Sequence, residues 1–173
     1  VKPGERQILI LHMMGSHGPA YDQRSEKEDK VFGKVCTDPS FRRCSSEEIV
    51  NAYDASIRYT DRVLAEILRT LQSQKSIDTA FIYLSDHGES LGEGGLFLHG
   101  APYQMAPDVQ KIVPMVMWLS EGFKKDYSVS QEAIEKAIEK PVTHDHLYHT
   151  VLGLLNIRST TYEAQWDLSY EKK

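Results

Sequence analysis

The sequence contains no apolar run long enough to cross a membrane. Its longest, residues 112–119, is interrupted by Pro114 and falls far short of the roughly 20 apolar residues that span a bilayer. Basic residues are not in excess either, since 20 lysines and arginines face 25 aspartates and glutamates, for a formal net charge of -5. Such a chain attracts a phosphate backbone weakly, so nucleic acid is excluded as an expected partner.

Cysteine is also scarce. The sequence has only Cys36 and Cys44, which lie in one polar loop without a neighbouring histidine. An even number of closely spaced cysteines favours a disulfide, with two unrelated reduced thiols as the alternative. A disulfide would place the domain outside the cytoplasm.

The start of the sequence has neither an initiator methionine nor the apolar region of a signal peptide. We therefore expect a fragment of a longer protein. Its 173 residues suit one compact domain with a core of ordinary size.

Three apolar runs predict β-strands, at residues 7–11, 79–85 and 112–119. Each is apolar on both faces, as are the strands of a parallel sheet that is covered by helices. Residues 20–45 are polar and without period, which predicts a surface excursion between the first strand and the first helix.

Three stretches predict helices. Ser45 and Glu48 have the spacing of a capping box, and the apolar stripe that follows predicts a long amphipathic helix that ends near Ser73. Further helices are predicted over residues 131–139 and 145–155. Together with the strands, these helices predict an α/β fold with an open, mostly parallel sheet flanked by helices.

A glycine-rich segment, residues 85–100, follows the second predicted strand and carries Asp86, His87 and His99. Carboxylate and imidazole are ligands that zinc accepts, and glycines let the backbone return the second imidazole toward the first. His17 lies in a similar loop after the first predicted strand. Because ligands collect at the carboxyl ends of strands in open α/β sheets, we expect these four side chains to converge on a metal.

Each of the four residues has a plainer interpretation when taken alone. A histidine beside glycine is often a turn residue whose ring bonds to the backbone, and an aspartate after a strand often caps a turn. Glu89 and Glu93, inside the same segment, are interpreted as turn residues and as support for the loop. His146 and His149 are at helical spacing without a set of carboxylates around them, so they are not expected to bind metal.

Seven segments of the chain together resemble a known family, namely residues 12–19, 51–54, 59–61, 85–93, 98–102, 106–108 and 110–114. In order and spacing they are similar to the periplasmic catalytic domain of the phosphoethanolamine transferases that modify lipid A, including the mobile colistin-resistance enzymes. The similarity runs through essentially the whole chain, whereas Asp86, His87 and Gly88 alone would indicate only the wider alkaline phosphatase and sulfatase superfamily.

The resemblance implies an alkaline phosphatase/sulfatase-like fold, with residues 1–173 as the carboxyl-terminal part of a single catalytic domain. It implies zinc-dependent transfer of phosphoethanolamine from phosphatidylethanolamine to a lipid A phosphate through a threonine-linked intermediate. Asp86 and His87 would be ligands of the metal that lowers the pKa of the nucleophile. His17 and His99 would face a second metal or the substrate phosphate.

The family also implies a disulfide between Cys36 and Cys44. It places the enzyme at the periplasmic face of the bacterial inner membrane, with membrane contact through N-terminal helices outside this chain.

The chain departs from the family pattern in one respect. In the family, the threonine nucleophile and a further acidic zinc ligand lie upstream of the first strand predicted here, so no catalytic nucleophile is assigned in this sequence. We therefore expect residues 1–173 to be inactive in isolation. The alternatives are another metal-dependent phosphatase, sulfatase or phosphoglycerol transferase of the same superfamily, and a non-catalytic module stabilised by metal.

Overall fold

A computed structural model of the chain describes residues 4–127, 129 and 131–170. Five α-helices and four short β-strands occur among these residues, with 3-10 turns between them. In chain order, the elements are α1 (Ser46–Ser73), β1 (Ala80–Leu84), β2 (Ser90–Leu91), β3 (Phe97–Leu98), α2 (Asp108–Lys111), β4 (Met115–Leu119), α3 (Glu121–Asp126), α4 (Gln131–Ile138) and α5 (Asp145–Leu154). The 3-10 turns are Tyr21–Arg24, Lys27–Asp29, Glu93–Gly95 and Ala164–Trp166.

The long helix α1 begins with the predicted capping box. The backbone N–H of Glu48 donates to the Ser45 hydroxyl at 3.2 Å, and the N–H of Ser45 donates to the Glu48 carboxylate at 2.9 Å. These two bonds satisfy backbone donors that the first turn of a helix leaves without partners. The predicted end at Ser73 is confirmed, and α4 and α5 confirm the two later helices.

The second and third predicted strands are confirmed as β1 and β4, which pair with each other. The N–H of Ser120 donates to the Thr79 carbonyl at 2.9 Å, and the N–H of Ser85 donates to the Pro114 carbonyl at 3.5 Å. Residue numbers therefore rise along one strand as they fall along the other, so the pair is antiparallel. The other pair, β2 with β3, is antiparallel as well, with Ser90 opposite Leu98.

The prediction of a strand at residues 7–11, and with it of a mostly parallel sheet, is wrong for the part of the chain that the structure describes. Residues 7–11 form no strand there, and Leu9 and Ile10 are 80% and 84% exposed. A strand exists only where its backbone N–H and C=O groups find partners on a neighbouring strand. Both described sheets are two-stranded, and neither includes this segment.

Two compact units make up the chain. The C-terminal unit comprises Val1–Leu9, Gln72–Ile82 and Val116–Lys173, and its core is formed by Leu119, Phe123 and Leu154. Asp86 and the three candidate histidine ligands lie in the other unit, which we call the histidine unit and which comprises Ile10–Leu71 and Tyr83–Met115.

The core of the histidine unit is built on α1 and a disulfide. Tyr21, Cys36, Ile49 and Ala52 are its buried residues. Cys36 and Cys44 are bridged, as predicted, and the N–H of Cys36 donates to the Glu48 carbonyl at 2.8 Å. The polar excursion is therefore fastened to the first turn of α1.

A buried carboxylate secures the polar excursion further along α1. Asp29 is almost fully buried, and the Arg62 guanidinium donates to both of its oxygens, at 3.2 and 2.8 Å. These bonds from Arg62 lower the pKa of the Asp29 carboxyl below its ordinary value. The two hydrogen bonds from one guanidinium stabilise the ionised Asp29 carboxylate, whose burial would otherwise disfavour the charge.

Replacing Arg62 by Met should therefore lower the thermal unfolding temperature by several degrees at pH 7. A carboxylate with a lowered folded-state pKa stabilises the fold above its unfolded pKa of about 4, and this stabilisation is lost as the pH falls through the lower folded value. The difference between R62M and the parent protein should consequently be full at pH 7 and should shrink below about pH 4.

The matched control is Arg69→Met, because Arg69 pairs with the exposed Glu66 on the surface of the same helix. Exposed pairs contribute little to stability. Thermal unfolding followed by circular dichroism should show almost no change for R69M, and equal losses in both variants would contradict the role given to Asp29.

Candidate metal centre

The first part of the site follows β1 directly. Asp86 and His87 lie just beyond the end of this strand, and the Ser85 hydroxyl donates to the His87 carbonyl at 2.8 Å. The N–H of Gly88 then donates to the Gln110 carbonyl at 3.0 Å. A Cβ at position 88 would lie 2.0 Å from the carbonyl oxygen of Val109, so this close approach of two backbones requires glycine.

The second part is the loop that carries His17. The N–H of His17 donates to the Met14 carbonyl at 3.1 Å, which closes a turn. The guanidinium of Arg24 donates to the His17 carbonyl at 3.2 Å. The loop is therefore held at both the amide and the carbonyl of the candidate ligand.

The third part is the hairpin formed by β2 and β3, which ends just before His99. The buried Gln110 amide donates to the Ser90 hydroxyl at 2.8 Å and to the Leu98 carbonyl at 3.1 Å. One side chain of α2 thus holds both strands of the hairpin. Leu98 has a positive φ of 64°, which turns the chain as it reaches His99.

These three parts bring His17, His87 and His99 together. One ring nitrogen from each lies within 4.8 Å of those of the other two. The ring centroids of His87 and His99 are 3.9 Å apart, and those of His17 and His99 are 4.9 Å apart. We call this group the histidine cluster.

Hydrogen bonds determine which nitrogen each ring can offer. The Nδ1 of His17 lies 2.7 Å from the Gly18 carbonyl, and that of His87 lies 3.0 Å from the Gly88 carbonyl. A carbonyl oxygen only accepts, so the neutral form of each ring carries its proton on Nδ1 and has its lone pair on Nε2. The Nδ1 of His99 lies 2.9 Å from a carboxylate oxygen of Glu89, which has the same effect.

This donor set fits a transition-metal ion such as zinc. Neutral imidazole nitrogens are common zinc ligands, and hydrogen bonding of the opposite ring nitrogen is the usual accompaniment of metal-binding histidine. The fit rests on one ring nitrogen from each of the three histidines, which the structure places within 4.8 Å of one another.

Asp86 lies beside the histidine cluster and is not one of its members. Its side chain is 84% exposed, and one oxygen lies 3.9 Å from the Nε2 of His87. The other oxygen accepts the N–H of His87 at 3.0 Å. The structure therefore brings together three of the four predicted ligands, with the fourth adjacent to one of them.

Glu89 is the site residue whose contacts the sequence did not show. The sequence predicts a turn residue or one that supports the loop, and the bond of Glu89 to the ring of His99 is such a support; its burial, at only 7% exposed, is what the sequence does not indicate. The one signal in the sequence was a carboxylate placed inside a glycine-rich segment between two histidines.

The later histidines accept backbone donors. The Nδ1 of His146 accepts the N–H of Thr143 at 3.0 Å, and the Nδ1 of His149 accepts the N–H of Glu163 at 3.0 Å. In the described residues, the candidate metal-binding group is the histidine cluster, and these two rings lie outside it.

Comparison with protein families gives a match over most of the chain. The model of the family described as Sulfatase matches residues 1–157. The chain belongs to the sulfatase family.

Within this family, the similarity to phosphoethanolamine transferases is confirmed. The chain is 41% identical over 163 residues to phosphoethanolamine transferase EptA of Salmonella typhimurium strain LT2, which covers 93% of this chain and 30% of that protein. The chain thus spans about a third of the length of such relatives.

Two solved structures are similar to this one. The integral membrane protein lipooligosaccharide phosphoethanolamine transferase A from Neisseria meningitidis gives a TM-score of 0.87 at 37% identity, covering 92% of this chain and 30% of that one. The C-terminal periplasmic domain of phosphoethanolamine transferase EptC from Campylobacter jejuni gives 0.82 at 38% identity, covering 91% and 49%. The fold is therefore part of a sulfatase-like domain.

Among the described residues, no helix is both long and apolar enough to span a membrane.

Replacing Gly88 by Ala should destabilise the histidine unit by about 2 to 3 kcal/mol, because the added methyl group collides with a backbone carbonyl that cannot move aside alone. Gly94→Ala is the matched control. A Cβ there meets nothing within 4 Å, and only its positive φ of 60° is unfavourable, at about 1 kcal/mol.

Urea unfolding of both variants measures this difference. Equal loss of stability in G88A and G94A would contradict the close approach of residues 88 and 109.

Proposed function

We propose that this chain is part of a zinc-dependent enzyme that transfers phosphoethanolamine from phosphatidylethanolamine to a lipid A phosphate. The observation that carries the proposal is the histidine cluster, formed in a sulfatase-family chain that is about 40% identical to phosphoethanolamine transferases. Phosphoryl transfer needs positive charge around the equatorial oxygens and an activated in-line oxygen.

The residues of the site divide into two roles in this proposal. Asp86 and His87 hold zinc beside the nucleophile, and His17 and His99 face a second metal or the substrate phosphate. When bound, zinc supplies Lewis acidity toward the phosphate oxygens and lowers the pKa of the attacking hydroxyl. The second oxygen of Asp86 lies 3.9 Å from the Nε2 of His87, which supports ligation of one ion by both residues.

The nucleophile of this enzyme is proposed to be a threonine N-terminal to the present chain. The similarity covers 30% of the length of a phosphoethanolamine transferase, which leaves room for this residue, for a further acidic ligand and for membrane helices. Transfer then takes place at the periplasmic face of the bacterial inner membrane, in line with relatives described as an integral membrane protein and as a periplasmic domain.

In the intact enzyme, D86A and H87A should each abolish transfer, because they remove ligands of the metal beside the nucleophile. H17A and H99A should lower the rate roughly a hundredfold and leave a residual activity, because they remove ligands of the second metal and so weaken stabilisation of the phosphate charge. Mass spectrometry of lipid A from cells that express each variant measures the added phosphoethanolamine. Equal and complete loss of transfer in all four variants would contradict the division of these residues into two roles.

Residues 1–173 in isolation should transfer no phosphoethanolamine, because the proposed nucleophile is not in this chain. The assay uses purified chain, zinc, phosphatidylethanolamine and lipid A, with the intact enzyme as the positive control. Transfer by the isolated chain would overturn the placement of the nucleophile, and release of inorganic phosphate or sulfate by the intact enzyme in place of transfer would favour another sulfatase-family activity.

A further inference from the structure

Glu89 is a carboxylate in the interior of the histidine unit, with a side chain only 4% exposed. Burying a charged carboxylate is costly unless donors surround it. Three donors do so here: the N–H of Gly18 at 3.2 Å, the Nδ1–H of His99 at 2.9 Å and the hydroxyl of Tyr21 at 3.2 Å. These three hydrogen bonds therefore hold the Glu89 carboxylate in one position.

His99 depends on this carboxylate in a way that the other two histidines do not. His17 and His87 each donate Nδ1–H to the carbonyl of the next residue, so a local backbone bond sets their tautomers. The Nδ1 partner of His99 is the side chain of a residue ten positions earlier. Its orientation therefore depends on the fold and on the identity of residue 89.

We propose that Glu89 is the positioning residue that holds His99 in the Nδ1–H tautomer and so presents its Nε2 lone pair to the histidine cluster. The inference rests on the proposed function only for its catalytic consequence. A carboxylate that accepts the far proton of a ligating imidazole orients the ring and raises its basicity, and removal of such a partner typically lowers metal affinity 10- to 100-fold.

The surroundings of Glu89 support its role as an acceptor. Burial raises the pKa of the Tyr21 hydroxyl, and the nearby negative charge of Glu89 raises it further, so this hydroxyl stays protonated and donates. Oε1 receives both the Gly18 and the His99 donors. The same oxygen thus links the two loops whose imidazole rings are 4.9 Å apart.

The variants Glu89→Gln and Glu89→Met have side chains of similar size to glutamate, and only the first can accept a hydrogen bond from His99. Because the Gly18 N–H requires an acceptor and the Tyr21 oxygen can accept, the amide of E89Q should orient its oxygen toward Gly18 and His99. E89Q should then keep the Nδ1–H tautomer, whereas E89M offers His99 no acceptor. The matched control is Glu93→Gln, since the exposed Glu93 in the same segment caps the N–H of Leu91 at 2.7 Å.

Long-range proton–nitrogen NMR of the intact, metal-free protein labelled with ¹⁵N-histidine measures the tautomer of His99 directly. We expect Nδ1–H in the parent protein, E89Q and E93Q, and a shift toward Nε2–H in E89M. Zinc affinity, measured by competition with a chelator, should fall 10- to 100-fold in E89M. It should stay close to the parental value in E93Q, with a smaller loss in E89Q.

Unchanged tautomer and zinc affinity in a folded E89M protein would overturn the inference. If E89M does not fold, the tautomer of His99 in the parent protein and in E89Q tests the inference. An Nε2–H signal for His99 in the parent protein overturns the inference. An Nδ1–H signal in the parent protein that is retained in E89Q upholds it. A tautomer change in E89M without any phosphoethanolamine transfer by the parent enzyme would uphold the positioning role and overturn the proposed function. Phosphoethanolamine transfer by the parent enzyme, with no tautomer change in E89M, would uphold the proposed function and overturn the positioning role.

Discussion

Three imidazole rings in one cleft can act as metal ligands only if each keeps one ring nitrogen unprotonated. In this protein, the Nδ1 of each ring faces an acceptor, which is a neighbouring carbonyl for His17 and for His87 and the Glu89 carboxylate for His99. The remaining Nε2 atoms then carry lone pairs, since a neutral imidazole has one of each kind of nitrogen. The cluster is therefore organised by acceptors that lie outside it.

Tyr21 connects the core of the histidine unit to the acceptor of His99. Its ring is stacked on Phe41 at a centroid distance of 5.9 Å and lies edge to face with Tyr53 of α1 at 5.4 Å. Its hydroxyl donates to Glu89. The position of the Glu89 carboxylate thus depends on Tyr21, which packs against the disulfide loop that carries Phe41 and against α1. Because Glu89 in turn orients His99, the core of the histidine unit helps to position the site.

Close backbone packing places the remaining parts. Gly88 lets the loop after β1 approach α2, and Gln110 of α2 binds both strands of the hairpin that leads to His99. A four-residue helix thus connects the loop of His87 to the segment of His99. The position of His87 thus depends on a backbone contact that tolerates no added side chain, and that of His99 depends on the side chain of Gln110.

Local interactions made much of this protein predictable from its sequence. The capping box of α1, the helices α4 and α5 and the Cys36–Cys44 bridge depend on residues close together along the chain. The apolar runs of β1 and β4 are local patterns too, although the pairing of these strands is not. The resemblance carried by the seven segments together identified the family. Tertiary structure alone decided the rest: apolar residues 7–11 form no strand because strands need partners, Asp86 lies outside the cluster, and Glu89 bonds to His99. Each of these depends on groups distant in sequence, which hydrophobic period and spacing do not encode.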